Sequence, residues 1–215
     1  MVYDPYKIMN MIKILTLVAI MLLTVAGLNA YNLKTSKQEE NKSESKNEVM
    51  SMKGKKILVA YFSWSGNTKY AAQYIAKKMG ADMFEIVRKK PYSKEYQLCT
   101  EEAKAEKEAN ERPAIKGKVD NIAQYDVIFI GVPVWWYTAP MPLFTFLEQY
   151  DLKGKIVIPF CTAYSGPSST LKDIVKATPN SEHRDGICLI TKEMGGKGME
   201  KQNAKIDKWL GSINF

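Results

Sequence analysis

A chain of 215 residues is long enough for one compact α/β domain with length to spare. With 46% hydrophobic and 25% charged residues, it has the composition of a soluble globular domain with a real core. The net charge of +8 comes with no nucleic-acid recognition motif, so it reads as solvated surface, or as attraction to anionic lipid or an acidic partner.

The first segment is unlike the rest. Lys13 precedes an uncharged stretch from Ile14 to Leu33, and Gly27-Leu-Asn-Ala30 offers small residues for a signal peptidase. Residues 1–30 therefore read as a signal peptide. A retained membrane anchor is the alternative, since about 20 uncharged residues span a bilayer. Met9 and Met11 both give a better-formed signal than Met1, and no cysteine near Ala30 offers a lipid attachment point. Residues 31–54 read as a disordered polar linker, because Lys34–Glu48 is almost wholly Lys, Glu, Ser and Asn and cannot offset its ordering entropy. The domain of residues 55–215 is then expected outside the cytoplasmic membrane, with a cytoplasmic location as the alternative.

From Lys55 onward strands and helices alternate. Lys56–Phe62, Ala81–Val87, Asp126–Ile130, Lys155–Phe160 and Gly186–Ile190 are apolar runs of strand length. Runs apolar on both faces belong to parallel sheets covered on each side. Helices are expected at Asn67–Met79, closed by Gly80, within Tyr92–Glu111, and at Pro142–Tyr150, Ser168–Ala177 and Met199–Leu210. The Tyr92–Glu111 helix reads as exposed, with Cys99 in a polar stretch, while Cys161 and Cys188 sit in apolar strand-like runs. Five strand–helix alternations predict a doubly wound α/β fold with helices on both faces.

Three loops carry the chemistry. Ser63-Trp64-Ser65-Gly66-Asn67-Thr68 joins the first strand to the first helix and places short donors around a flexible glycine. Such a loop, with the positive end of a helix behind it, cradles a phosphate without a lysine. Neither GxxxxGK[ST] nor GxGxxG is present. The second loop, Gly131 to Pro142, contains Pro133, Val134, Trp135, Trp136, Tyr137 and Thr138. At least one tryptophan is expected to plug the space under the next helix, and the remaining rings suit a flat apolar ligand. The third loop, Cys161 to Pro167, brings Thr162, Ala163, Tyr164, Ser165 and Gly166. All three follow the carboxyl ends of strands, where open α/β sheets bind ligands.

KILVAYFSWSGNT at Lys56–Thr68, YDVIFIGVPVWW at Tyr125–Trp136, PMP at Pro140–Pro142 and IPFCT at Ile158–Thr162 resemble the flavodoxin family, in particular its short-chain bacterial branch with a tryptophan-rich second loop. The resemblance implies a five-stranded sheet of order 2-1-3-4-5 and non-covalent FMN. The first loop would hold its phosphate, and the second and third would flank its ring. Tyr137 stands where that branch usually has glycine, and Ala163-Tyr164 replaces its usual His-Gly. The family's soluble carriers are usually acidic, unlike this basic chain.

His183, the only histidine, is placed far from these loops, and no catalytic triad or paired-carboxylate motif stands out. No CxxC supports a redox dithiol or a zinc site, and three cysteines leave one over under any pairing. The expected function is FMN-dependent electron transfer with redox partner proteins or a small-molecule acceptor. An NAD(P)H-dependent reductase of quinones or nitro-compounds is the alternative, followed by a flavin-free binding module.

Overall fold

A computed structural model of the chain describes residues 54–194 and 198–215. The segments expected at 1–30 and 31–54 lie outside the described residues, apart from Gly54. Among the described residues no helix is long and apolar enough to cross a membrane.

The strands are β1 Ile57–Tyr61, β2 Asp82–Glu85, β3 Val87–Arg88, β4 Ile115–Lys116, β5 Val127–Pro133, β6 Ile156–Ala163, β7 Glu182–His183 and β8 Ile187–Ile190. The helices are α1 Asn67–Met79, α2 Tyr96–Glu108, α3 Met141–Leu147, α4 Thr170–Ala177 and α5 Asn203–Leu210. The main sheet is parallel and runs β2-β1-β5-β6-β7, with β8 also paired to β6. This is the doubly wound order 2-1-3-4-5, with its fifth position split between β7 and β8.

The split has a local cause. On β6, Val157 pairs with His183 and Phe160 with Ile187, so one strand advances one residue further than the other. Pro159 lies in this gap and has no N–H to give a ladder. Gly186 faces it so closely that a Cβ there would stand 2.5 Å from the Pro159 carbonyl oxygen. The ladder resumes only beyond them.

Both sheet faces are covered, as the continuous apolar runs require. On one face Val59, Phe129, Ile158 and Phe160 pack with Ala71, Ile75, Ile206 and Trp209 of α1 and α5. On the other, Leu58, Ile128, Ile130 and Val157 pack with Ala103, Leu143, Phe146 and Ile174 of α2, α3 and α4. Buried Ala71, Ala72 and Ala76 give α1 a smooth inner face. Gly80 closes that helix at φ 60°, a conformation glycine adopts without steric cost.

The region after β2 departs from expectation. Val87 and Arg88 turn away from the sheet and pair antiparallel with Lys116 and Ile115, strands too short to show periodicity. The expected Tyr92–Glu111 helix is confined to Tyr96–Glu108 and is followed by Asn110 in the left-handed region. It is not simply an exposed helix. Cys99, expected in polar surroundings, is buried, because it shares one helical face with Ala103 and Glu106. Burial and the nearby Glu102 and Glu106 carboxylates push the Cys99 thiol up to about 11, above its usual range.

Beneath that helix Glu106 accepts a hydrogen bond from the Tyr92 hydroxyl and lies 2.6 Å from Arg88 Nη2. Burial raises the Glu106 carboxyl above the ordinary range, and the Tyr92 bond and Arg88 oppose the rise without cancelling it. Arg88 also reaches Glu102 at 3.0 Å and lies over the Tyr92 ring at 4.4 Å. Removing one member would leave a buried charge uncompensated. The cluster fixes α2 over the second face of the sheet.

Candidate functional site

The loops after β1, β5 and β6 meet at the carboxyl end of the sheet. In the first, Gly66 has φ 91° and immediately precedes α1, so the chain turns there in a way that strains any L side chain. Nothing lies within 4 Å of where its Cβ would be, so backbone geometry and not crowding requires glycine. Asn67 Nδ2 donates to Ser65 Oγ at 3.4 Å. The Ser63 hydroxyl is buried and has no hydrogen-bond partner among the described residues. An orphaned hydroxyl costs about 1–3 kcal/mol, so one in the loop that leads into α1 fits a ligand oxygen as its partner. Thr68 is buried and its Oγ1 lies 2.7 Å from Thr162 Oγ1, tying the first loop to the third. Each hydroxyl in that pair retains a lone pair, and one retains a proton for a further partner.

The second loop is a tight reverse turn. Trp135 N–H donates to the Thr138 carbonyl at 2.9 Å, and Thr138 N–H donates back to Trp135 at 3.0 Å. Between them Trp136 and Tyr137 have φ 47° and 68°. Hairpin turns of this hand normally carry Asn-Gly, because a side chain in the left-handed region costs about 1–2 kcal/mol. Outside bonds hold the strain: Lys107 Nζ donates to the Trp136 carbonyl at 2.9 Å, and Ser169 N–H and Oγ donate to the Tyr137 carbonyl at 3.1 and 2.8 Å. Trp135 is the expected plug, edge-on to Phe62 at 5.3 Å and to Tyr92 at 5.0 Å. The Trp136 indole N–H donates to the Thr100 carbonyl at 2.8 Å, which fixes its ring against α2.

Tyr137 thus occupies backbone that suits glycine, while its side chain is 72% exposed and contributes little packing. Tyr137→Gly is expected to raise the stability of the flavin-free protein by up to about 1 kcal/mol. The gain is the relieved strain less the roughly 0.5–1 kcal/mol entropic cost of glycine. Urea unfolding of Tyr137→Gly beside Tyr137→Ala checks this, and an alanine variant at least as stable would show that the turn is unstrained.

The three loops and α2 enclose a cleft of about 560 Å³, within the range of small-molecule sites. Of the residues expected from sequence, it brings together Trp64, Ser65, Asn67, Pro133, Val134, Trp135, Trp136, Tyr137, Thr162, Ala163, Tyr164, Ser165 and Gly166. Ser63, Gly66 and Thr68 are not part of this lining. Thr138 is turned away, its hydroxyl donating to Asp173 Oδ2 at 2.5 Å beside a second cleft of about 640 Å³. Sequence reasoning missed Tyr96, Cys99, Thr100, Ala103, Ser168 and Thr191, which also line the first cleft. The first four share the i, i+3, i+4, i+7 face of α2, a spacing visible in the sequence.

Six rings, those of Trp64, Tyr96, Trp135, Trp136, Tyr137 and Tyr164, border the cleft, and the three tyrosines are well exposed. His183 lies elsewhere, on β7, with its ring 2.9 Å from the Thr178 hydroxyl, and burial lowers its pKa. Among the described residues no group of His, Cys, Asp and Glu could hold a metal ion.

A parallel sheet with a glycine-turned loop before its first helix and an aromatic-walled cleft at its switch point defines a doubly wound α/β protein. Residues 56–212 match a family model described as flavodoxin. The chain belongs to the flavodoxin family. It is 34% identical to a Bacteroides eggerthii protein described as a flavoprotein, covering 75% of this chain and 99% of the other, with a TM-score of 0.65. A similar protein of Bacteroides uniformis is 33% identical over 72% of this chain and 99% of its own, with a TM-score of 0.61. A Lactobacillus acidophilus flavoprotein, solved in complex with FMN, shares the fold at 23% identity, with 73% and 99% coverage and a TM-score of 0.58. No curated protein matches the chain.

Proposed function

We propose that the chain binds FMN in the first cleft and carries electrons between redox partners. The observation that carries this reading is a cleft bordered by aromatic rings and, at the start of α1, by Ser65 and Asn67. Family membership and the FMN complex of the Lactobacillus acidophilus protein support the same cofactor. Ser63, Ser65, Asn67 and Thr68, with Gly66 setting the turn, would hold the phosphate. The second and third loops would border the ring through Trp136, Tyr137 and Tyr164. When bound, FMN supplies one- and two-electron chemistry. The protein's own part is to bind and orient it, and to exclude water with Trp135 and the α2 wall.

The absorption spectrum of the purified domain tests the cofactor. Bands of bound oxidised flavin, released as FMN on denaturation, are the expected result, and a colourless protein that takes up no added FMN would overturn it. Flavin fluorescence is expected to be quenched when bound and partly recovered in Tyr164→Ala or Trp136→Ala, because adjoining electron-rich rings quench it. Quenching and affinity unchanged in both variants would place the ring elsewhere.

A second reading, a flavin-dependent reductase of small organic acceptors, is favoured by one observation. The second cleft shares Trp136 and Tyr137 with the first, so an acceptor there would be separated from the flavin site by one turn. Sustained oxidation of NADPH with a quinone would support the enzyme, and its absence alongside electron exchange with a protein partner would support the carrier.

The uncharged segment after Lys13 and the polar stretch that follows support a location across the cytoplasmic membrane, tethered or released. The basic domain suits anionic headgroups or an acidic partner. Full-length protein found soluble in the cytosol on cell fractionation would reject this.

A further inference from the structure

The register of β6 against β8 places Cys161 directly opposite Cys188. Residues paired in this way point to the same face of the sheet, and adjacent strands lie about 4.7–4.9 Å apart. That spacing falls inside the Cα separation of roughly 4.4–6.8 Å that a disulfide bridges without backbone movement. The two side chains are in hydrogen-bonding contact, and both are thiols in the structure. They differ in access. Cys161 is fully buried, whereas Cys188 is partly exposed on β8 at the edge of the sheet. The third cysteine, Cys99, is buried on α2 and belongs to the wall of the first cleft.

We propose that Cys161 and Cys188 are an oxidisable dithiol that closes to a cross-strand disulfide in an oxidising compartment. The oxidant is a disulfide, X–S–S–X. Cys188 Sγ, the sulfur that solvent reaches, attacks it, forming a mixed disulfide and releasing one X–SH. Cys161 Sγ then attacks Cys188 Sγ, breaking the mixed disulfide, forming the Cys161–Cys188 bond and releasing the second X–SH. Two protein thiols are oxidised, one external disulfide is reduced, and the two thiol protons leave on the two X–SH molecules. The buried sulfur acts second because an external disulfide does not reach it, and the hydrogen bond from Cys188 and burial both favour its thiol form.

The position gives the bond a consequence. Cys161 adjoins Thr162, whose hydroxyl meets Thr68 in the first loop and whose carbonyl accepts from Val134 in the second. The bond would pin the last strand to β6 at the end of the sheet that carries all three loops. A pair on adjacent strands is also open to reduction from the sheet edge, so it is reversible where thiols are abundant.

The probe is oxidised glutathione, added to the native protein, followed by thiol counting after denaturation, mass measurement and peptide mapping. The expected result is a fall from three free thiols to one, a loss of the mass of two hydrogens, and a linked fragment pair joining Cys161 to Cys188. Dithiothreitol should restore all three thiols without unfolding. In Cys161→Ser the reaction should stop at glutathione attached to Cys188, and Cys188→Ser should form neither adduct nor bridge. If Cys161→Ser does not fold, the wild-type mapping decides alone. Three surviving thiols, a wild-type reaction that stops at the glutathione adduct, or a bridge to Cys99 would each overturn the proposal.

Discussion

Ser63→Ala is expected to weaken FMN binding about ten- to a hundredfold while leaving riboflavin affinity and the stability of the flavin-free protein undiminished. The Ser63 hydroxyl is buried with no partner among the described residues, so in the absence of ligand it contributes desolvation cost and no bond. Removing it from the free protein is therefore neutral or stabilising. With a phosphate oxygen beside it, the same hydroxyl makes a hydrogen bond to a charged group, worth about 1.5–3 kcal/mol. The opposite signs on binding and on stability separate a ligand contact from a packing role, which would lower both together. Isothermal titration with FMN and riboflavin, alongside urea unfolding without ligand, checks it. Equal losses for the two ligands would show that Ser63 does not touch the phosphate. Ser65→Ala and Thr68→Ala are expected to share the selectivity for FMN over riboflavin. Thr68→Ala should also cost stability, because it breaks the buried bond to Thr162.

Gly131→Ala is expected to destabilise the fold by about 1–3 kcal/mol or more. Gly131 on β5 pairs with Phe160 on β6, and the Phe160 ring lies across the glycine. An added Cβ would stand 1.9 Å from Phe160 Cζ, and that residue is fully buried. It would have to leave its rotamer or push the core against α1. Shortening the ring should relieve this. Gly131→Ala with Phe160→Leu is expected to be more stable than the two single losses added together, by a coupling of about 0.5–3 kcal/mol. Thermal or urea unfolding of the four proteins completes the cycle. Additive losses would show that the ring is not what glycine accommodates. Since Gly131 leads directly into Pro133 and the tryptophan loop, the single variant should also loosen the cleft and weaken FMN.

Much of the site was legible because its signals are local. A run such as Ile57–Tyr61 is apolar on both faces because both faces are covered, and hydroxyl donors around Gly66 before a helix mark an anion loop wherever they occur. The alternation of such runs with helical spacing, under right-handed crossovers, restricts the topology to the doubly wound sheet that is observed. The displaced glycine of the family pattern was also visible at Tyr137, although only the φ of 68° shows what that displacement costs.

What the sequence by itself determined, then, was the alternation of elements, the three loops that border the cleft and the family. Only the tertiary structure decided how distant residues share surroundings. Cys161 and Cys188 lie in separate strands, and nothing in either run says that their registers coincide. That is set by the extra residue opposite Pro159. The exposed-looking helix with Cys99 and Ala103 became a wall of the cleft because Glu106, which reads as a surface charge, is held inside by Arg88 and Tyr92. Trp135 and Trp136 are neighbours of the same type and both line the cleft, yet the Trp135 ring packs edge-on to Phe62 while Trp136, inside the turn, bonds to α2. Periodicity and loop chemistry are properties of short segments, whereas burial, register and pairing depend on which segments meet, and that is decided by the packing of the whole domain.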